Sequence, residues 1–307
     1  MRNGGGCGRQ WFFRAAGILA AAMAIGWAAL PAGAADEPPP GAGGEPGAAE
    51  SPDLGPPPET GWLTRGEKAL ILNAGGVAGI LAYGLLNWDY GEESFNFRNE
   101  HWFQRDTKEG GMDKLGHFWS SYAFAHLLSH VYHRWGYAES DANLYGALSS
   151  FGLQSAMELM DGFSRYGVSY EDFLMNTAGA AAGYLWGRYP ALKKMIDFRM
   201  EYIPSFDADD LDPFTNYRDQ KYLLALKAEG FEFLEQPVLE YLELHLGYYA
   251  RGYEEFEESD PRDHRRRYGF VGIGINVTKL LRSFLDLTLF DYLQVPYTAI
   301  HLELNFD

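Results

Sequence analysis

Asp113-Lys114-Leu115-Gly116-His117-Phe118, Glu158-Leu159-Met160-Asp161-Gly162 and Ser169-Tyr170-Glu171-Asp172-Phe173-Leu174-Met175-Asn176 are three polar signatures set in apolar sequence. Asp113 and His117 are four positions apart, as are Asp172 and Asn176, while Glu158 and Asp161 are three apart, so each pair shares a helix face. The surrounding pattern predicts four helices. The first opens on the capping box Thr64-Arg65-Gly66-Glu67 and continues through the apolar stretch Ala69 to Trp88. The second runs from Asp113 or Lys114 to about Trp135, where Gly136 supplies a stop, and the third from about Ser140 to Met160, ended by Asp161-Gly162. The fourth begins at Ser169 and reaches Arg188, ahead of Pro190. If the helices alternate in direction, the start of the second, the end of the third and the start of the fourth meet at one end. That end gathers Asp113, Lys114, His117, Glu158, Asp161, Asp172 and Asn176.

The fourth helix also carries a packing signal. Gly179, Gly183 and Gly187 recur every four residues among alanines, so one face is almost bare backbone and admits a close neighbour, and Gly75, Gly76 and Gly79 of the first helix are the expected match. Two settings fit such faces, a membrane bundle and a tight soluble one. The first helix is long and apolar enough to span. The second, with His117, His126, His130, His133 and several serines, suits lipid only if those groups face the bundle interior.

Before these helices, Arg9 and Arg14 precede an apolar run from Ala15 to Leu30, and Ala32-Gly33-Ala34 offers a small-residue cleavage pattern. Residues 1–34 therefore read as a secretory signal, with an uncleaved anchor as the alternative; both place the chain in the cell envelope. Residues 35–60, with Pro38-Pro39-Pro40 and Pro56-Pro57-Pro58, read as a linker too proline-rich to pack. The lone cysteine, Cys7, lies before the apolar run, so the exported chain carries no thiol chemistry and no lipoprotein-type cysteine. The net charge of −17, with no basic stripe, argues against a nucleic-acid partner. The one basic cluster, His264-Arg265-Arg266-Arg267, reads as a solvated loop or as a contact for anionic lipid.

Residues 61–200 form the expected helical region and 201–307 a β-rich one. Leu242, Leu244, Leu246 and Tyr248, then Val271, Ile273, Ile275 and Val277, then Ile300, Leu302, Leu304 and Phe306 alternate with other residues as one-sided strands, and Thr278 to Leu293 reads as an amphipathic helix covering them. The fold expected is α+β: an antiparallel four-helix bundle, membrane-embedded or soluble, followed by a small antiparallel β-rich region with that helix.

The polar end admits three chemistries. Oxygen ligands with one imidazole could hold a divalent metal. His117 with a carboxylate could act as general acid or base. The third is a buried polar network that fixes helix packing. Asp113 reads equally as a helix cap, and Ser169 with Asp172 as a capping box. Glu158 and Asp161, in the last turn of a helix, oppose its dipole and ask for a compensating cation. His117, Glu158 and Asp161 are accordingly the catalytic candidates. His126, His130 and His133 form a separate stripe, and the acidic run Asp207 to Asp212 lacks calcium-loop spacing.

Asp113 to Phe118, Glu158 with Asp161-Gly162, and Asp172 followed by Asn176-Thr177-Ala178-Gly179 resemble the YfiM family, predicted periplasmic lipoproteins grouped as a domain of unknown function, over about residues 85–190. The same order of motifs is similar, more distantly, to VanZ-like membrane proteins, which are associated with glycopeptide resistance. The resemblance implies an envelope location and a helical core, without assigning a reaction. The expected role is binding or architectural, through the polar cluster and with membrane or envelope lipid as partner. The alternative is a metal- or His/carboxylate-dependent enzyme acting on a lipid or cell-wall intermediate.

Overall fold

The computed structural model describes residues 62–204, 216–234, 236–253, 264–282, 284 and 288–307. The expected signal and linker, and the run Asp207 to Asp212, lie outside the described residues. Helix α1 (Arg65–Asn87) starts on the predicted capping box: Thr64 Oγ1 accepts from the Glu67 backbone N–H at 3.2 Å, and the Glu67 carboxylate accepts from the Thr64 N–H at 2.8 Å. Helix α2 (Met112–Arg134) follows Gly111, whose φ of 87° is a left-handed conformation natural to glycine. Helices α3 (Glu139–Asp161) and α4 (Tyr170–Arg188) are joined through a two-residue parallel pairing of β1 (Phe97–Arg98) with β2 (Val168–Ser169).

Helices α2, α3 and α4 form the helical core. The small-residue face of α4 meets α2 there: a Cβ added at Gly179 would lie 2.2 Å from the Phe118 carbonyl oxygen, and one at Gly183 2.5 Å from Ala125 Cβ. The glycines of α1 are not its counterpart. Gly75 and Gly79 face open space, Gly76 meets Leu153 of α3, and Gly84 meets Tyr90. Gly84 is the one buried residue of α1, so the helix lies on the outside with Leu70, Ile71, Leu85 and Leu86 exposed. Among the described residues it is the one helix long and apolar enough to cross a membrane.

The four-helix bundle with a small antiparallel β-rich region is therefore corrected. The described residues contain six helices, α5 (Pro190–Met195) and α6 (Val277–Leu281) being the two short ones, and α1 does not close a bundle. Among the described residues, the amphipathic helix expected from Thr278 to Leu293 appears as α6 and a 3-10 turn at Thr288–Asp291. Six strands replace the three expected: β3 (Ile196–Tyr202), β4 (Gln220–Lys227), β5 (Leu242–Arg251), β6 (Arg266–Ile275), β7 (Leu293–Gln294) and β8 (Ala299–Asn305), in the order β7-β3-β4-β5-β6-β8. β7 pairs with β3 in parallel and every other pairing is antiparallel, so the sheet is mixed.

Strands β7 and β8 occupy opposite edges, yet only residues 295–298 separate them. Five Cα steps span at most about 18 Å, whereas the edges of a flat six-stranded sheet stand about 24 Å apart. The sheet must curl. Its concave face is identified by contacts that skip a strand: Arg199 of β3 bonds Glu243 of β5 over Ala225 of β4, and His245 of β5 faces His301 of β8 over Gly272 of β6. Part of that inner face is a charged network, the rest being filled by Leu223, Tyr249 and Phe270. Arg199 holds Glu243 by two bonds of 2.7 Å and Asp197 at 3.0 Å, and Lys227 reaches Asp197 at 2.9 Å.

The outer, apolar face packs on the helices at one side only. Met200 and Tyr222 join Met112, Leu115 and Trp119 in one core, and Phe198 packs against Phe118, Tyr122 and Trp186 in another. Lys193 sits at that junction between Asp197 (3.0 Å) and Asp291 (3.6 Å), over the ring of Tyr292. The α2–α4 contact is sharply testable. Gly179→Ala drives a methyl into the Phe118 carbonyl and is expected to cost about 1–3 kcal/mol. Gly75→Ala, facing open space, should stabilise by up to about 1 kcal/mol through helix propensity. Denaturant melts of the two variants check the opposite signs.

Candidate functional site

Lys114 is the centre of charge at the polar end of the helices. It is 1% exposed and its ammonium touches three carboxylates: Glu100 at 2.5 Å, Asp113 at 2.7 Å and Asp172 at 2.8 Å. Burial alone would discharge it, but the three acids more than offset that and hold its pKa above the ordinary lysine value. Asp113 is thus an ion-pair partner and not the cap of α2, a position Gly111 takes without a side-chain bond.

The start of α4 is half of the capping box expected there. Ser169 Oγ accepts from the Asp172 N–H at 3.2 Å, but the Ser169 N–H donates to Glu158 Oε1 from the last turn of α3. Glu158 supplies the acceptor that Asp172 would otherwise give, which frees the Asp172 carboxylate for the cluster. It also explains an acid at the end of α3, since the carboxylate rests against the positive N-terminus of α4. Glu171, fully buried, ties the same turn to the preceding loop by accepting from His101 N–H at 2.9 Å and Ser169 Oγ at 3.1 Å.

His117 Nδ1 lies 3.2 Å from Asn176 Oδ1, which also accepts from Ser121 Oγ at 3.0 Å. A carbonyl oxygen only accepts, so Nδ1 carries a proton, and Nε2, on the other side of the ring, is the atom whose protonation changes. Nε2 faces Asp172 Oδ1 at 3.8 Å, too far for a hydrogen bond. Two sets of three ligand atoms fall within 4.8 Å of one another: His117, Glu158 and Asp172, and Glu100, Asp113 and Asp172. The ammonium of Lys114 already fills the second set. In the first, His117 Nε2 converges with the Glu158 and Asp172 carboxylates, and Asp172 is shared with the Lys114 set. Asn176 Nδ2, beside it, is buried without a hydrogen-bond partner.

Asp161 lies on the same helix turn, close to the Tyr90 hydroxyl, which donates to the Met157 carbonyl at 3.3 Å. Burial pushes its carboxyl up to about 7 and that of Glu158 up to about 8. Burial opposes charging His117, but Asp172, Glu158 and Asp113 outweigh it and hold its pKa above the ordinary value. All seven residues expected at this end, Asp113, Lys114, His117, Glu158, Asp161, Asp172 and Asn176, are brought together. Glu100, Glu171 and Tyr90 join them without having been singled out; two stand in the irregular segment between α1 and α2, where no helical spacing marks a residue.

The histidine stripe does not form a second centre. His126 Nδ1 bonds the Tyr292 hydroxyl at 2.8 Å, and burial pushes its pKa down to about 3, leaving a neutral ring in the helix–sheet junction. Among the described residues, no set of three metal-ligating side chains includes His126, His130 or His133.

Residues 99–188 match a family described as a predicted periplasmic lipoprotein, DUF2279, a stretch that includes Glu100, Lys114, His117, Glu158, Asp172 and Asn176. This carries the YfiM-like resemblance for part of the chain, and no match supports the VanZ-like one. No curated protein and no solved structure matches the chain.

The raised pKa values fix a sign for stability. In the folded state Glu158, Asp161 and His117 keep protons that the unfolded chain gives up, so their contribution is present below the unfolded carboxylate value of about 4.5 and is lost as pH rises through about 8. Chelator-treated protein is expected to lose melting temperature steadily between pH 5 and 8, because each tenfold difference in proton affinity between the folded and unfolded states is worth about 1.4 kcal/mol. Glu158→Gln, which cannot ionise, should flatten the slope. Melting temperatures that rise across this window would contradict the assignment.

Proposed function

We propose that this chain is an envelope protein that binds a divalent cation between His117 Nε2, Glu158 and Asp172 and uses it on a lipid or cell-wall intermediate. The observation that carries the reading is the convergence of His117 Nε2 with the Glu158 and Asp172 carboxylates, beside an acid set that Lys114 already fills; an ion would take the place of the protons that His117 and Glu158 hold there. Asn176 fixes the ring and tautomer of His117, as outer-shell partners do for metal ligands. One imidazole with two carboxylates suits Mn²⁺, Zn²⁺ or Mg²⁺. His117 Nε2 and Asp172 Oδ1 at 3.8 Å are already spaced as two ligands of one ion.

In such a site the cation would polarise a substrate oxygen. The Asn176 amide N–H, a buried donor without a partner, would receive a further substrate oxygen, and an acceptor there relieves a cost of about 1–3 kcal/mol. Asp161, off the ligand set and beside Tyr90, is placed to move a proton. Access is from the side of Glu100, Asp113 and His117, whose side chains are 19%, 17% and 14% exposed. The envelope location of the substrate rests on the matched family's description and on the expected signal.

A binding or architectural role is the second reading, favoured by one observation: Glu158 and Glu171 both bond backbone N–H groups and so staple α3, α4 and the loop before α2 whatever else they do. Calorimetry with Mn²⁺ and with Zn²⁺ separates the two. The wild type is expected to bind one ion. His117→Ala and Asp172→Asn should each weaken it by about 10-fold or more, while Glu100→Gln, on the set that Lys114 fills, keeps it. A folded His117→Ala protein that binds like the wild type refutes the metal reading.

A further inference from the structure

The curled sheet is inverted relative to a sheet that faces water. Its inner face buries Asp197, Arg199, Lys227, Glu243 and His245, each at most 2% exposed, in mutual ion pairs and hydrogen bonds. Its outer face, where β5, β6 and β8 run beyond the helices, is apolar and uncovered. Cross-strand register places Leu244, Ile273 and Ile300 in one row and Leu246, Val271 and Leu302 in the next. Ile273 is 62% exposed, Leu302 77% and Ile300 83%. At its margin an apolar groove of about 400 Å³ opens between α2 and the sheet, lined by Leu115, Trp119, Phe198, Leu246, Val271 and Leu304. Although Leu223, Tyr249 and Phe270 also turn inward, a charged network turned in with apolar rows turned out is the arrangement of strands whose outer surroundings are hydrocarbon.

We propose that this outer face of β5, β6 and β8 is a membrane-docking surface that seats in the acyl region of one leaflet of a phospholipid bilayer. Three further observations select a bilayer. The apolar rows run about 13 Å from Val271 to Ile275 and about 20 Å from Ile300 to Phe306, short of a hydrocarbon core of about 30 Å but matched to one leaflet. The basic cluster His264-Arg265-Arg266-Arg267 stands at the start of β6, at the end of the apolar face, where anionic headgroups would lie and would compete with Asp307, which holds Arg267 at 2.6 Å. Helix α1, exposed and apolar along its length, gives the same chain a second lipid-compatible surface. The six strands of the described sheet are fewer than the eight of the smallest spanning barrels, so we place this sheet in the interface.

The test labels the face itself, so that attachment through α1 cannot imitate it. In the full chain with Cys7→Ser, a bimane fluorophore is placed on Ile273→Cys, on Leu302→Cys, or on Glu303→Cys, which points to the inner face. Each protein is mixed with anionic phosphatidylglycerol-containing vesicles whose acyl chains carry bromine. Labels at positions 273 and 302 are expected to be quenched about twofold or more relative to the label at 303. Equal quenching at all three positions overturns the proposal, as do labels at 273 and 302 that stay in water on vesicle-bound protein. Shielding of both labels without lipid, together with a dimer in analytical ultracentrifugation, also overturns it and assigns the face to a second copy.

Discussion

A single buried ammonium organises the helical half of this protein. Lys114 holds Glu100 from the loop before α2, its own neighbour Asp113 and Asp172 from α4, so the loop and α4 are both drawn to the start of α2. Removing a partner from such a group leaves a buried charge uncompensated, at a cost of about 3–5 kcal/mol. Asp172 Oδ1 is shared, however: it also faces His117 Nε2 at 3.8 Å, and with Glu158 these groups make a second set in which His117 and Glu158 hold on to their protons. Structure and candidate chemistry thus meet at one carboxylate.

The sheet is built on the opposite logic. Its charged residues pair inside a curl, and its apolar residues divide between a side packed on α2 and α4 and a side left bare. Small residues make the inner network reachable: Ala225 and Gly272 let side chains two strands apart touch. The two halves share the core of Met112, Met200 and Tyr222, which fixes the polar end of the helices relative to the uncovered face.

Much of the site was legible because helix periodicity is a strong constraint. Asp113, His117, Glu158, Asp161, Asp172 and Asn176 stand at spacings that survive folding, and the spans of the four long helices follow their caps and glycines. Helix packing was less legible. Gly75, Gly76 and Gly79 resemble the small-residue face of α4, but residue size alone does not name a partner, and α2 took that place. The sheet was half legible for a related reason. The strands on the bare side alternate plainly, whereas β3 alternates Ile196, Phe198 and Met200 with Asp197, Arg199 and Glu201, a pattern that reads as a solvated surface unless the charges are known to face one another. The capping reading of Asp172 failed because the competing acceptor, Glu158, lies on another helix and no local window contains both.

The central claim is that one acid set is closed by Lys114 and the other is open to a divalent ion. Anomalous diffraction from crystals soaked with Mn²⁺ tests it most directly. The account predicts one strong peak within about 2.3 Å of His117 Nε2 and of Asp172 and Glu158 oxygens, with the Lys114 ammonium still seated among Glu100, Asp113 and Asp172. A peak that displaces Lys114, or none near His117 in fully soaked crystals, would contradict it.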